Sequence, residues 1–359
     1  MIKEKPELKL LLRNLAVEPG NTVVNLNCQS GAIGISIAAV NQDAKVYLTD
    51  SNLLNLKIAG RNIEKNLVGN CEVLPEVGVG GLVEKGVEAD VVIYEPGRYL
   101  SDETVMSQIK TGRTVLKQGG KFYLVVSKKG GASKHLSSLS QAFGEENVTV
   151  LSKGAGFRIA MAINTEAKRD MELQEKPRDV GFDIEGEHFS VKTESSLFSK
   201  DKLDEGTRFL LETAPLTDFH DLLDLGCGWG AIGIVAGRKN QTGSVIMTDV
   251  DLRATEVAGQ NVQDQSLSDR VSVIPTNDIR QFHQKFDLIL SNPPFHQNYK
   301  DLTKLFTAAR KVLEKDGKIY IVVEKTHVER FGNILKDIFG AFNSTPNENG
   351  TYFVLQTGK

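Results

Sequence analysis

The stretch Asp221-Leu-Leu-Asp-Leu-Gly-Cys-Gly-Trp-Gly230, continued by Ala231-Ile-Gly-Ile-Val-Ala236, decides how the chain is read. It predicts a short buried strand over 222–225, a loop with glycines at 226, 228 and 230, and then a helix. Glycine has no Cβ and tolerates positive φ, so a ligand can approach the bare backbone of such a loop. The helix start behind it offers N–H groups that have no partner inside the helix. This is a nucleotide-type binding turn.

Working outward, the chain alternates strands and helices. A helix is expected over Pro6 to Val17, with leucines at 8, 11, 12 and 15 on one face, and a strand over Asn21 to Asn27. The apolar helix 32–39, a strand over Lys45 to Asp50, a helix over Asn52 to Asn66 and strands over 89–94 and 120–126 follow. This alternation predicts an α/β protein with a doubly wound, mostly parallel sheet.

The second half repeats the first. Asn25-Leu-Asn-Cys-Gln-Ser-Gly-Ala-Ile-Gly-Ile35 aligns with Asp224-Leu-Gly-Cys-Gly-Trp-Gly-Ala-Ile-Gly-Ile234. In the same register Thr49-Asp50 meets Thr248-Asp249, and Gly60-Arg-Asn62 meets Gly259-Gln-Asn261. Asp90-Val-Val-Ile-Tyr-Glu-Pro-Gly97 meets Asp287-Leu-Ile-Leu-Ser-Asn-Pro-Pro294, and Gly120–Val126 meets Gly317–Val323. Two copies of one Rossmann-like domain are therefore expected: 1–165, a polar linker over 166–179, and 180–359. A hairpin closed around Gly186, then a helix over Glu205 to Thr213, should precede the glycine loop of the second copy. The copies differ where chemistry would sit. Asp224, Gly226 and Gly228 become Asn25, Asn27 and Gln29 in the first copy, and Asn292-Pro-Pro-Phe295 becomes Glu95-Pro-Gly-Arg98. Side chains at 27 and 29 would crowd a ligand, so the first domain is expected to keep the fold and lack the site.

Composition narrows the class. At 359 residues the chain is too long for one ordinary core. With 40% hydrophobic and 25% charged residues it reads as a soluble globular protein. No apolar run approaches the roughly 20 residues of a membrane helix, and Met1-Ile-Lys-Glu-Lys-Pro6 lacks the apolar core of a secretion signal. Cysteines 28, 71 and 227 form no CxxC pair, which fits a reducing cytoplasm. No His/Cys cluster has zinc spacing, so no metal is expected. The net charge of −3 is unevenly spread. Residues 104–163 hold nine basic side chains and two acidic ones, either a phosphate-facing surface or a solvated face.

Gly226-x-Gly-x-x-Ala231 with Asp249 beyond it formally satisfies the dinucleotide fingerprint. An acidic residue two before the first glycine and a third glycine at 230 point elsewhere, to a ligand with a charged amino-acid end and no pyrophosphate. S-adenosylmethionine has that shape. Its ammonium would lie near Asp224, its carboxylate near the amides of Gly226, Gly228 and Gly230, its ribose on Asp249, and its adenine by Asn277 and Asp278.

The strand Phe286-Asp-Leu-Ile-Leu-Ser291 ends directly in Asn292-Pro-Pro-Phe295, at the carboxyl edge where doubly wound folds keep their sites. Pro293 and Pro294 fix φ and remove backbone donors, so the turn presents acceptors. Asn292 adds a side-chain carbonyl. Two acceptors in a stiff turn can grip an exocyclic NH₂ and aim its lone pair at an incoming methyl. Phe295 offers a face on which a base can stack.

Residues 180–359 resemble the catalytic half of the ribosomal RNA guanine-N2 methyltransferases, the small-subunit methyltransferase C and large-subunit methyltransferase G type. The resemblance is carried by Val191-Lys-Thr193, Phe198-Ser-Lys-Asp-Lys-Leu-Asp-Glu-Gly206, Asp224 to Gly230, Asp249 and Ser291-Asn-Pro-Pro-Phe-His296. The tandem layout with a degenerate first domain extends it over the whole chain. The resemblance implies that Phe198, Asp204 and Thr207 form part of a lid over the methyl donor, and that the first domain docks RNA or supports the second. Together these readings predict a cytoplasmic, monomeric, S-adenosylmethionine-dependent methyltransferase of a guanine in ribosomal RNA or a ribosomal subunit. Methylation of adenine N6 or of a protein glutamine, and a non-catalytic RNA-binding assembly factor, remain the alternatives.

Overall fold

A computed structural model describes residues 6–97, 100–166, 177–295 and 297–359. Arg98, His296 and linker residues 167–176 therefore lie outside the described residues. The chain divides into two compact units, Met1–Lys176 and Pro177–Lys359.

In the first unit, β1 (Thr22–Leu26), β2 (Lys45–Asp50), β3 (Cys71–Pro75), β4 (Ala89–Tyr94), β5 (Leu116–Ser127), β6 (Val148–Gly154) and β7 (Phe157–Ile163) form one sheet. Its order is β3-β2-β1-β4-β5-β7-β6, parallel except where β7 runs against both β5 and β6. β1 is buried from Val23 to Leu26, as expected of a central parallel strand with helices on both faces. The first helix is Pro6–Leu12, shorter than its leucine pattern predicts. Asn14 ends it: its side-chain amide donates to the Leu10 carbonyl (2.8 Å), and beyond it Ala16 N donates to the Tyr123 hydroxyl (3.2 Å).

The second unit opens with a hairpin, β8 (Arg178–Ile184) and β9 (Glu187–Thr193). Glu185 and Gly186 both take positive φ (48° and 82°) in its two-residue turn, the primed geometry that matches strand twist. Then come β10 (Asp221–Leu225), β11 (Ser244–Thr248), β12 (Val271–Val273), β13 (Phe286–Ser291), β14 (Leu313–Glu324), β15 (Asn343–Pro346) and β16 (Tyr352–Gly358). Their order, β12-β11-β10-β13-β14-β16-β15, is that of the first sheet position by position. Each domain thus repeats one Rossmann-like architecture, as the internal repeat predicts.

The repeat extends to side chains. Asp90 at the start of β4 accepts the Thr22 N–H (2.8 Å), and Asp287 at the start of β13 accepts the Asp221 N–H (2.7 Å). Helix Ala231–Lys239 is buried continuously from Ala231 to Gly237. It approaches the sheet so closely that a Cβ at Gly233 would meet Met247 Sδ at 2.2 Å. Strand order reverses between β10 and β13, so their carboxyl ends open the crevice in which such sheets bind ligands. Among the described residues, no helix is long and apolar enough to cross a membrane.

Candidate active site

Two loops leave that crevice. After β10, Gly226, Gly228 and Gly230 take φ of 81°, 54° and 96°. The loop is pinned from outside: the N–H groups of Gly226 and Cys227 both donate to the Thr248 carbonyl (2.9 Å each), and Gly228 N donates to Asp249 Oδ2 (3.0 Å). A Cβ built at Gly226 or Gly228 would meet nothing within 4 Å. The loop therefore faces open space, not packing.

The first domain shows the same backbone without the glycines. Asn27 and Gln29 hold φ of 50° and 53°, Cys28 N donates to the Thr49 carbonyl (2.9 Å), and Gln29 N donates to Asp50 Oδ2 (2.8 Å). Asn27 Nδ2 reaches across to the carbonyl of Glu95 (3.1 Å), the residue that aligns with Asn292. A side chain bridges the two loops where the second domain leaves a gap.

Asp224 lies under the glycine loop and is fully buried. One carboxylate oxygen accepts the Gly233 N–H (2.9 Å); the other, Oδ1, is buried with no partner among the described residues. A buried acceptor without a donor is costly and calls for an explanation. Burial pushes the Asp224 carboxyl up to about 7, so a cationic group brought to it would recover its charge. Asn25, its counterpart, has no such vacancy, since it accepts the Gly34 N–H (3.1 Å) and donates to the Leu26 carbonyl (3.3 Å).

Asp249 follows β11 and is partly buried, which raises its carboxyl above the usual range. Its carbonyl accepts the Thr276 N–H (3.0 Å), bringing the loop that carries Asn277 and Asp278 beside it. The Asp278 carboxylate is already engaged by Arg280, at 2.7 Å to Nε.

After β13, Ser291 Oγ donates to the Leu225 carbonyl (2.6 Å) and joins the ends of the two central strands. Asn292 comes next. Its Nδ2 donates to Asp204 Oδ2 (3.0 Å) and to Thr207 Oγ1 (2.9 Å), while Asp204 caps helix Glu205–Thr213 through the Thr207 N–H (2.8 Å). A carboxylate only accepts, so the amide is held with NH₂ inward and Oδ1 on the opposite side. Asp204 and Thr207, expected over the methyl donor, thus lie in direct contact with Asn292.

Phe295 has one ring face covered by His327 (centroids 5.0 Å apart, 15° between planes) and meets Phe331 in a T-shaped contact (centroids 6.3 Å apart, 78° between planes). Arg330 donates to the Phe295 carbonyl (3.2 Å) and to that of Gln297, clamping the far end of the tetrad. Phe198 is 63% exposed, and its carbonyl accepts the indole N–H of Trp229 (3.0 Å) inside the glycine loop. Among the described residues, no group of three His, Cys, Asp or Glu side chains could hold a metal ion.

A family model described as "Methyltransferase small domain" matches residues 7–161 and 188–356, nearly the whole chain and both copies. The chain belongs to the methyltransferase small domain family. The curated ribosomal RNA large subunit methyltransferase G of Vibrio parahaemolyticus is 31% identical over 186 residues, 50% of this chain. That match spans 48% of the relative's own length. The solved 16S rRNA N2 methyltransferase of T. thermophilus, in complex with AdoMet and guanosine, superposes with a TM-score of 0.80. It does so at 20% identity, over 99% of this chain and 92% of that one, and shows the shared fold.

In this methyltransferase small domain protein, two residues that hold the site together, Asn261 and Arg253, stand outside the glycine loop and the Asn-Pro-Pro-Phe turn. Asn261, buried on helix Leu252–Asp264, donates to the Trp229 carbonyl (2.9 Å) and the Lys192 carbonyl (2.8 Å), tying the glycine loop to β9. The internal repeat carried the signal, for Asn62 donates to the Ser30 carbonyl (2.8 Å) at the matching place. Buried Arg253 holds the following loop through Ser196 Oγ (3.2 Å) and Glu194 (3.7 Å). It has no counterpart in the first copy, where Leu54 stands.

Proposed function

We propose that this chain transfers a methyl group from S-adenosylmethionine to the exocyclic N2 amine of a guanine in ribosomal RNA. The observation that carries the reading is the Asn292 amide, held so that its carbonyl oxygen is left for an N–H donor beside the glycine loop. The names of the two relatives above support the choice of RNA and of guanine N2. The orphaned Asp224 oxygen and the open space at Gly226 and Gly228 fit the donor's ammonium and backbone-bound end. When bound, S-adenosylmethionine supplies an electrophilic methyl group on a sulfonium.

The protein's own part is positional. Asn292 Oδ1 and the Pro293 carbonyl accept the two N–H bonds of the amine and turn its lone pair toward the methyl. An amine conjugated to a purine ring is a weak nucleophile, so fixed acceptors and orientation supply most of the acceleration. Phe295, with one face on His327, offers its remaining surface to a base flipped out of its stack. Phe198, Asp249, Asn277 and Asp278 surround the donor's nucleoside side in this reading. The displacement is direct and needs no metal, and we place it on a monomer in the cytoplasm, with the first domain supporting or docking the RNA.

Labelled methyl donor, offered bare ribosomal RNA, ribosomal subunits and protein release factors in parallel, tests the proposal. Label should appear in N2-methylguanosine after nuclease digestion. Label confined to adenine or to protein would sink it.

The buried acid adds a pH dependence. Below about pH 7 Asp224 holds a proton that an incoming ammonium must displace, so donor affinity should rise with pH up to about 7 and then level. The slope is at most about tenfold per pH unit. Stability of the ligand-free protein runs the other way. A carboxyl whose folded pKa is raised contributes fully below the ordinary carboxylate pKa of ~4, and that contribution is lost as pH climbs through about 7. Calorimetric titration with donor at pH 6, 7 and 8 checks this. A flat wild-type profile, or an unchanged slope in Asp224→Asn, rejects the assignment.

A further inference from the structure

Nine of the eleven charged side chains between residues 104 and 163 are basic. The structure sorts them. Arg113 is engaged with Asn164 (3.1 Å) and Glu166 (3.2 Å), Lys117 with Asp90 (2.7 Å) and Lys134 with Asp102 (2.8 Å). Four others gather at one corner of the first sheet, where β5 ends, β6 ends and β7 begins. Lys128 and Lys129 follow β5 directly, and Lys128 N donates to the Gly156 carbonyl (2.7 Å) in the β6–β7 turn. Lys153 and Arg158 face each other as partners across the β6–β7 ladder, and Arg158 also pairs with Val126 of β5.

Like charges opposed across a ladder are destabilising unless something else compensates. Among the described residues, the side chains of these four have no ion pair or hydrogen bond, and Arg158 Nε is buried with no partner. Helix Ala132–Phe143 begins at the same corner, and no side chain caps its first turn. Free N–H groups at a helix start add to the attraction for anions. The second domain, with the same topology, pairs Pro346 with Phe353 at the matching ladder position and places Thr326 where Lys129 stands, keeping a basic residue only at Lys325, which matches Lys128. Three of the four charges at this corner are thus particular to the copy without the glycine loop.

We propose that Lys128, Lys129, Lys153 and Arg158 form a phosphate-docking surface for the RNA substrate; this rests on the RNA reading above. A polyanion with regularly spaced charges relieves the Lys153–Arg158 opposition and releases condensed counterions, so binding through this corner is salt-dependent.

The test uses the full chain and transcribed ribosomal RNA, with filter binding between 50 and 200 mM salt. Lys153→Gln/Arg158→Gln is compared with Lys110→Gln/Lys121→Gln, which removes equal charge elsewhere in the domain. The corner variant should lose about tenfold or more in affinity at low salt and about two units of the salt slope. Its S-adenosylmethionine binding and melting temperature should not fall. Equal losses in the two variants, or none in either, overturn the docking surface while leaving the guanine reading intact if the wild type still methylates RNA. A wild type that binds no RNA defeats both. Corner-dependent binding to phosphatidylserine vesicles but not to RNA assigns the surface to a membrane and overturns the proposal as well.

Discussion

Asn292→Ala should reduce turnover by roughly 10²–10³-fold, the cost of removing one preorganised acceptor from a polar transition state. The dissociation constant for S-adenosylmethionine should stay within a few fold of wild type, because Asn292 is one tie among several on the segment that ends at Asp204, and Arg253 and Trp229 hold that segment independently. Single-turnover methylation with calorimetric donor titration separates the two quantities. Asn292→Asp is the sharper probe. A carboxylate placed 3.0 Å from Asp204 Oδ2 would be repelled and could keep no inward NH₂, so it should match the alanine variant despite retaining an acceptor oxygen. Unimpaired turnover in either variant would remove Asn292 from the chemistry.

The second large effect is the conversion of one loop into its twin. Gly226→Asn/Gly228→Gln should abolish donor binding, by at least about 100-fold, and leave a folded protein. The first domain is the precedent: Asn27 and Gln29 adopt φ of 50° and 53° in a loop that keeps the bonds of Cys28 N to the Thr49 carbonyl and of Gln29 N to Asp50. A side chain in the left-handed region costs about 1–2 kcal/mol, less for asparagine, which a domain of this size can absorb. The asparagine introduced in place of Gly226 would have the reach that Asn27 uses to bond the Glu95 carbonyl, and would close the gap before Asn292. Retained donor affinity, measured by calorimetry alongside a thermal melt, would mean that the open space at these glycines is not the donor's.

Much of the architecture is legible in the residues alone. Central strands β2 and β4 carry apolar runs buried on both faces, and the expected and observed limits coincide at Lys45–Asp50 and Ala89–Tyr94. Edge strands such as β6 (Val-Thr-Val-Leu-Ser-Lys-Gly) are half exposed and mix polar with apolar residues, so no periodicity marks them. In the site, the glycine loop and Asn292-Pro-Pro-Phe295 are contiguous and stand out. The orientation of Asn292 does not, because its partners lie 88 and 85 residues earlier in the chain. The same holds for Arg330, which reaches back to Phe295 from another helix.

The loop between β9 and helix Glu205–Thr213 is held at Glu194 and Ser196 by Arg253, at Phe198 by Trp229 and at Asp204 by Asn292, and the strand that leads into it is held at Lys192 by Asn261. A segment restrained so often has few conformations to give up when a ligand arrives. Its ordering is met by the fold beforehand, so the interaction energy of a bound donor is not drained into immobilising this loop.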